Sequence, residues 1–450
     1  MTGKVQSFID NLCEDYPKNN HIDSDAYRNE NVKRGLRNAD GTGVLVGLTR
    51  IGSAQGYFVQ DGDRIPMDGR LLYRGIDVRD LVAGVIEDGR FGFEEIIYLL
   101  LCGLLPGREQ LDSFTEVIGE LRHLPRGFTE DAIMKNPSPD IMNKVASCIL
   151  ALYSYDNDPD NADLGNLLRQ SMELTARVPV IVAHAFAVKR HYYDHESLVL
   201  HLPQNGLSIA ENFLHSIRPD KQYTPEEAHL LDLCLILHAE HGGGNNSTFA
   251  CRTLSSSGTD TYSAISAAVG SLKGPLHGGA NNQVMEMFGY IKRDVKDWED
   301  DDEISAYLEK LIRKQAGNRS GKIYGMGHAV YTLSDPRAIL LKKYARDLAP
   351  RHNCLAEFNL LEAVERLTPK VFASVKGDVK TISANVDMYS GLVYQMLGIP
   401  AEMYTPIFAV ARIAGWCAHR IEETMYGGRI MRPAYRNLLG SNAYTPIEER

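Results

Sequence analysis

The sequence predicts a mainly α-helical fold with a minor β element near the N-terminus. After Tyr73, apolar residues recur at three- and four-residue spacing almost everywhere. Short apolar runs broken by Gly, Asp and Pro are confined to residues 41–72. No internal repeat, βαβ rhythm or Gly-rich phosphate loop following a strand interrupts the helical pattern.

In chain order, residues 1–40 are polar and charged without a sustained period, and are expected to form a helix-bearing arm. The runs at 44–48, 57–60 and 70–73 suggest small strands or extended segments. Helical periodicity then predicts helices at 93–104, 111–124, 141–153, 167–190 and 207–217. Thr224-Pro-Glu-Glu227 is a strong helix start, with Thr as N-cap, Pro in the first position and Glu three residues after the cap. The helix it opens passes through Leu230, Leu231, Cys234 and Leu237 and delivers His238 near its end. Further helices are expected at 261–272, 281–292, 304–316, 336–348, 359–367, 386–397 and 406–426. The turn-rich stretch 153–163 reads as a surface loop, and the acidic connector 293–303 as a solvated face.

At 450 residues the chain is long enough for a large core and for two or three domains. Its 44% hydrophobic and 24% charged residues are ordinary for a soluble globular protein. The longest apolar run, from Ile96 to Leu105, is too short to span a bilayer, and no signal peptide opens the chain. A cytoplasmic protein without a membrane segment is expected. The net charge of −10, with no Lys- or Arg-rich run, argues against a nucleic-acid partner. The seven cysteines are scattered, include no Cys-x-x-Cys pair and read as small buried residues in a reducing compartment.

Histidine-bearing segments carry the chemistry. They read His238-Ala-Glu-His241-Gly-Gly-Gly-Asn, Gly274-Pro-Leu-His277-Gly-Gly-Ala-Asn and Gly325-Met-Gly-His328-Ala-Val-Tyr-Thr-Leu-Ser-Asp335-Pro-Arg337, joined by Asn385-Val-Asp387. Imidazole and carboxylate are the side chains best suited to moving protons near neutral pH, and the adjacent glycines let a ligand approach backbone. His277 is expected just before a helix N-terminus, where the dipole favours a neutral imidazole able to donate to a developing oxyanion; a capping or core histidine is the competing reading. Arg337 follows a helix start at Asp335-Pro336, which makes a carboxylate or phosphate site, with a solvated arginine as the alternative.

His238 and His241 are spaced to face one side of a helix end. They could ligate zinc, but the His-Glu-x-x-His pattern is absent and the cysteines give no support. Asp387 sits between an extended stretch at 380–383 and an apolar helix, where a simple N-cap is the reading that competes with a functional carboxylate. Arg412, Arg420, Arg429, Arg432 and Arg436 concentrate positive charge in an acidic chain. Arg412 falls inside an apolar helix, where a buried guanidinium demands an anion from protein or substrate. The residues alone thus define an anion-binding, proton-moving site with no metal or nucleotide motif.

The ordered set of these segments, with Gly69-Arg-Leu-Leu-Tyr-Arg-Gly75, Phe93-Glu-Glu and Arg432-Pro433, strongly resembles the citrate synthase family. The resemblance implies a two-domain helical fold. A large domain would comprise 41–282 and 391–450, and a small domain, 283–390, would close over the site; residues 1–40 stay apart as an arm. It implies an acyltransferase of the tricarboxylic acid cycle that condenses acetyl-CoA with oxaloacetate, then hydrolyses citryl-CoA. No cofactor is implied, acetyl-CoA being a substrate.

By position in the motifs, Asp387 resembles the base that takes a methyl proton, His277 the donor to the thioester oxygen, and His328 the partner of the oxaloacetate carbonyl. His241, Arg337, Arg412 and Arg432 resemble the oxaloacetate and citrate binders, with Arg432 reaching across from a second subunit of a homodimer or higher oligomer. The loop Lys322, Ile323, Tyr324, Gly325, Met326 and Gly327 resembles the segment that holds CoA through backbone. His238 is expected to support its helix end. The first 40 residues and the 293–303 connector depart from the family pattern. Competing readings are 2-methylcitrate synthase, which uses propionyl-CoA; a zinc hydrolase built on His238, His241, His277 and Asp387; and a catalytically dead binding protein on the same fold. The nucleotide-binding portion of ATP-citrate lyase has no room here.

Overall fold

In the computed structural model, residues 3–61, 63–377 and 382–450 are described. Their backbone contacts form two compact units, Met1–Gly47 with Met431–Arg450, and Leu48–Ile430. The first contains helices α1 (Gly3–Asn20) and α2 (Ser24–Asn29), which bury no residue, and an ion pair between Glu30 and Arg436. The expected strand at 44–48 is absent: the stretch is irregular, and Leu45 and Leu48 stand 86% and 85% exposed. β propensity forms no strand where no neighbour pairs with it.

The second unit opens with an antiparallel three-stranded sheet, β1 (Gly52–Gln60), β2 (Asp63–Tyr73) and β3 (Ile76–Asp77), in the order β1-β2-β3. Gly52 pairs with Tyr73 and Gln60 with Asp63, with an irregularity between Gln55 and Tyr57. Then follow α3 (Val78–Glu87), α4 (Phe93–Cys102), α5 (Arg108–Leu121), α6 (Ile141–Leu152), α7 (Leu164–Tyr193) and α8 (Ile209–Ile217). Next come α9 (Pro225–His238), α10 (Asn246–Ser255), α11 (Thr261–Lys273), α12 (Ala280–Asp294) and α13 (Asp301–Ile312). The unit ends with α14 (Pro336–Leu348), α15 (Leu355–Lys376), α16 (Asp387–Met396) and α17 (Tyr404–Glu422).

Local signals account for many of these boundaries. Thr224 Oγ1 accepts the Glu227 N–H at 3.2 Å while Glu227 Oε2 accepts the Thr224 N–H at 2.8 Å, closing the predicted capping box of α9. Ser208 and Glu211 do the same for α8. Helix α15 runs well past the predicted 359–367, through Pro369. A proline there removes one backbone donor, and buried Leu367, Thr368 and Val371 keep that face packed. Helix α10 carried no apolar stripe to find: its buried face is Ser247, Thr248, Cys251, Arg252 and Ser255. The loop at 153–163 is tied down by Asp156, which accepts from Arg169, Gln170 and the Tyr262 hydroxyl.

Helix α17 is buried along almost its whole length and packs against α4, α7, α9, α10 and α11. Helix α7 is long and apolar enough to cross a membrane, but 78% of its most apolar window is buried inside the protein, as in a core helix. Around α17 the ends of α9 and α11 and the start of α16 bring the histidine segments together.

Candidate active site

The site begins where α9 ends. His238 Nδ1 donates to the Cys234 carbonyl at 2.7 Å, one turn back, and burial drops its pKa to about 3. The next residues run against α17 with no room to spare: a Cβ on Gly415 would lie 2.5 Å from both the Ala239 carbonyl oxygen and Glu240 Oε2. Gly242 then turns the chain at φ 85°. His241 is held in this turn, buried, with Nε2 lacking a hydrogen-bond partner among the described residues. Burial and the nearby charges of Arg337, His328 and Arg412 hold its pKa well below the usual histidine value.

Helix α17 presents Arg412, Trp416 and His419 on one face, at spacings of four and three residues. Arg412 is fully buried; its Nε donates to the His238 carbonyl at 2.6 Å, whereas Nη1 and Nη2 have no partner among the described residues. Burial lowers its pKa to about 10, so it remains a cation at neutral pH. His419 accepts from Arg252 at Nδ1 (2.9 Å), so Nε2 carries the proton and donates to Glu240 Oε1 at 3.0 Å. Arg252 is itself paired with Glu422 and Glu423. Burial alone would raise the pKa of Glu240, but His419 and Arg412 pull it below the ordinary value. An ionised Glu240 therefore faces Arg412 without neutralising it by contact.

His277 lies in the turn between α11 and α12, as its sequence neighbours predict. The turn closes through His277 N–H to the Gly274 carbonyl and Gly278 N–H to the Leu272 carbonyl, both 2.9 Å. Burial lowers the His277 pKa to about 4, with Arg412 adding to the effect. Its Nε2 is 3.0 Å from Ser247 Oγ, which also accepts from the Trp416 indole at 3.2 Å. The single Ser247 proton thus has two acceptors, His277 Nε2 and Asn245 Oδ1 at 2.9 Å. When it goes to His277, the imidazole proton sits on Nδ1.

His328 is fixed in one tautomer by backbone. Its Nδ1 accepts the N–H groups of Val330 and Tyr331 at 3.0 and 3.1 Å, leaving Nε2 as the protonated nitrogen. Its ring centroid is 5.2 Å from that of His241 and 4.6 Å from that of Tyr331. Arg337 is buried rather than solvated, and Asp335 takes its Nε and Nη2 at 3.1 and 2.8 Å. Burial opposes the arginine's charge, but the Asp335 carboxylate offsets this and its pKa is raised. The expected free N–H groups of this helix start are partly used, since Asp335 Oδ1 also accepts the Arg337 N–H.

Asp387 occupies the first turn of α16, and the cap is made by another residue: Asn385 Oδ1 accepts the Asp387 N–H at 3.0 Å. The Asp387 carboxylate accepts no hydrogen bond among the described residues. Burial raises its pKa to about 6, against the opposing pull of Arg337. Asn385 also donates to the Gly327 carbonyl at 2.8 Å, and its N–H to the Gly325 carbonyl at 2.9 Å. The 322–327 loop is therefore pinned to the residue two before Asp387. In that loop Lys322 is exposed, Ile323 and Gly325 are buried, and Tyr324, Met326 and Gly327 are half-buried. Gly325 and Gly327 have φ of 80° and 87°, and a Cβ on Gly325 would come within 2.8 Å of the Met388 sulfur. Of the extended stretch expected at 380–383, Lys380 and Thr381 lie outside the described residues.

His241 is thus within electrostatic reach of His277, His328, Arg337 and Arg412, and Asp387 of Arg337 and Arg412. Arg432 lies in the other compact unit and is exposed. Among the described residues no group of three His, Cys, Asp or Glu side chains could hold a metal ion, and one ring nitrogen each of His238 and His277 is engaged, by the Cys234 carbonyl and Ser247 Oγ. Sequence reasoning passed over Ser247, Glu240, His419 and Tyr331. Glu240 stands between the two histidines of its motif, and His419 and Trp416 share the helical face of Arg412. Ser247 and Tyr331 carried no signal beyond proximity to a motif.

Fold and site together give a helical protein that gathers two buried guanidinium groups, several low-pKa imidazoles and one carboxylate of raised pKa. Residues 40–434 match the family described as "Citrate synthase, C-terminal domain". A citrate synthase from Haloferax volcanii is 33% identical over 429 residues, covering 93% of this chain and 99% of the relative. 2-Methylcitrate synthase 1 from Corynebacterium glutamicum is 32% identical over 390 residues, covering 86% and 92%. Citrate synthase from Thermoplasma acidophilum, solved as a ternary complex with carboxymethyl coenzyme A and oxaloacetate, superposes with a TM-score of 0.75 at 28% identity, covering 93% of this chain and 99% of that one. The chain belongs to the citrate synthase family, a family of acyltransferases.

Proposed function

We propose that this enzyme condenses acetyl-CoA with oxaloacetate and hydrolyses the resulting citryl thioester to citrate and CoA. The observation that carries the reading is Arg412, a fully buried cation whose Nη1 and Nη2 have no hydrogen-bond partner among the described residues. A desolvated guanidinium of this kind is costly in the empty protein and becomes favourable when a carboxylate fills the site.

In this reading oxaloacetate binds through Arg412, Arg337 and His241, and its ketone oxygen accepts from His328 Nε2. Asp387 takes a proton from the acetyl methyl group as His277 Nδ1 donates to the thioester oxygen, forming the enol. The enol carbon attacks the polarised ketone carbon as His328 Nε2 gives its proton to the ketone oxygen, and the enol O–H proton returns to His277 Nδ1 while the thioester carbonyl re-forms. Water then cleaves the thioester, releasing CoA and a third carboxylate. His277 and His241 are neutral at pH 7, so they act as hydrogen-bond donors or acceptors without adding charge.

The same reading keeps 283–390 as a small domain that closes over 41–282 and 391–450, excluding water from the enol. Residues 322–327 hold CoA, and Arg432 reaches the site of a second subunit in a homodimer or larger assembly. A cytoplasmic enzyme without a cofactor follows from the same resemblance.

The test is release of free CoA from acetyl-CoA or propionyl-CoA, each with and without oxaloacetate. Oxaloacetate-dependent release with acetyl-CoA preferred is the expected result. Preference for propionyl-CoA would establish the 2-methylcitrate reaction, and release indifferent to oxaloacetate would overturn both.

A further inference from the structure

Tyr331 has no part in the mechanism so far, yet it lies against three residues that do, His241, His328 and Arg337. Its ring is parallel-stacked on His328 (centroids 4.6 Å apart, planes at 27°) and stands edge-on to His241 at 5.5 Å. The Arg337 guanidinium carbon is 5.7 Å from its centroid. The residue is 2% exposed, and its hydroxyl has no hydrogen-bond partner among the described residues. Buried polar groups left unpaired are rare and cost about 1–3 kcal/mol each. The charges that bear on this phenol, after burial itself, include those of Arg337 and Arg412.

The ring is not free to turn away. The Tyr331 backbone N–H donates to His328 Nδ1 at 3.1 Å, and Thr332 Oγ1 donates to the Gly56 carbonyl of β1. Gly69 of β2 donates its N–H to Ser334 Oγ at 3.1 Å, and a Cβ there would come within 2.8 Å of the Tyr331 ring. The β-hairpin therefore presses on residues 330–334 from one side while His328 and His241 bound the ring on the other. A rigid phenol is held with an unsatisfied donor, in company with two other orphaned groups of the site, Arg412 Nη1/Nη2 and His241 Nε2.

We propose that Tyr331 is a substrate-binding residue whose hydroxyl donates a hydrogen bond to a carboxylate of the dicarboxylate substrate held by Arg412. Its ring also positions the His328 imidazole. The inference rests on the reading of the site as one for oxaloacetate.

Tyr331→Phe keeps the ring and removes only the oxygen, and Tyr331→Leu removes both. The first is expected to raise the oxaloacetate KM about tenfold. Its kcat at saturation should stay within about threefold of wild type, with the KM for acetyl-CoA unchanged. The second is expected to lose kcat as well, because His328 loses its stacking partner. Calorimetric titration of oxaloacetate into ligand-free protein should show the same weakening for Tyr331→Phe. An unchanged oxaloacetate KM and affinity in Tyr331→Phe would overturn the proposal, whether or not Tyr331→Leu is impaired. The wild-type assay keeps the two readings apart: absence of oxaloacetate-dependent CoA release in the unmodified enzyme refutes the reaction itself. Release with an indifferent Tyr331→Phe refutes only the role of the hydroxyl.

Discussion

Arg412 donates Nε to the carbonyl oxygen of His238 at 2.6 Å, and its remaining two nitrogens are buried without hydrogen-bond partners among the described residues. Arg337, equally buried, is clasped by Asp335 through Nε and Nη2. Both residues read alike in sequence, as arginines for a carboxylate. Their surroundings make them different instruments.

Arg412→Met removes a charge that the empty site leaves unpaired. The ligand-free variant loses a desolvated guanidinium but also leaves ionised Glu240 with one cation fewer, so it should unfold at a temperature close to wild type. Oxaloacetate KM should rise on the order of a hundredfold, and thermal stabilisation by oxaloacetate should vanish. An unaltered KM would remove Arg412 from the binding site.

Arg337→Leu strands the Asp335 carboxylate in the interior. Breaking a buried pair in this way costs about 3–5 kcal/mol, so this variant should show both a sharply raised oxaloacetate KM and a clearly lower unfolding temperature. Chemical denaturation measures the second effect independently of activity. A variant as stable as wild type would mean that Asp335 is not held ionised by Arg337.

Asp387→Asn should abolish turnover while leaving oxaloacetate binding largely intact. In the unmodified enzyme the working form is the carboxylate, so kcat should fall as pH drops through about 6, the raised pKa of Asp387. The stability effect has the opposite direction. A carboxyl whose folded pKa lies above its unfolded value favours the fold at low pH, and that contribution is lost as pH rises through about 6. At pH 7–8 the Asn variant should therefore equal or exceed wild type in stability, by no more than about 3 kcal/mol, with the gap closing below pH 4. Near-normal turnover in the variant would sink the assignment of the base.

Ser247→Ala takes away the hydroxyl beside His277 Nε2 and the acceptor of the Trp416 indole. Stability should fall by about 1–3 kcal/mol from the orphaned indole. kcat should fall about 10- to 100-fold with little change in oxaloacetate KM, because the His277 ring loses the partner that holds it through Nε2. Steady-state kinetics on both substrates checks this; a rise in oxaloacetate KM without loss of kcat would place Ser247 elsewhere in the reaction.

Much of the fold was legible because helix signals are local. The capping box at Thr224, the Asp335-Pro336 start and the Gly274–Gly279 break all act within four residues, and each stands where expected. Two of the misses share a cause. Helix α10 buries Ser, Thr, Cys and Arg against neighbours distant in sequence, and the 44–48 run lacks a partner strand. In both, tertiary surroundings decided against local pattern.

By itself the sequence determined the helical class, the family, and which imidazoles, carboxylate and guanidinia are at hand. Tertiary structure alone decided what each of them is able to do. It set the tautomer of His328 and the hydrogen-bond chain from Arg252 through His419 to Glu240. It paired Arg337, left Arg412 unpaired, and enclosed the Tyr331 hydroxyl. The physical reason is range: periodicity and caps depend on neighbours a turn away, whereas burial, ionisation and unmet hydrogen bonds depend on side chains brought together from opposite ends of the chain. Arg412 and Glu240, 172 positions apart, illustrate it: neither residue's charge state follows from its own segment.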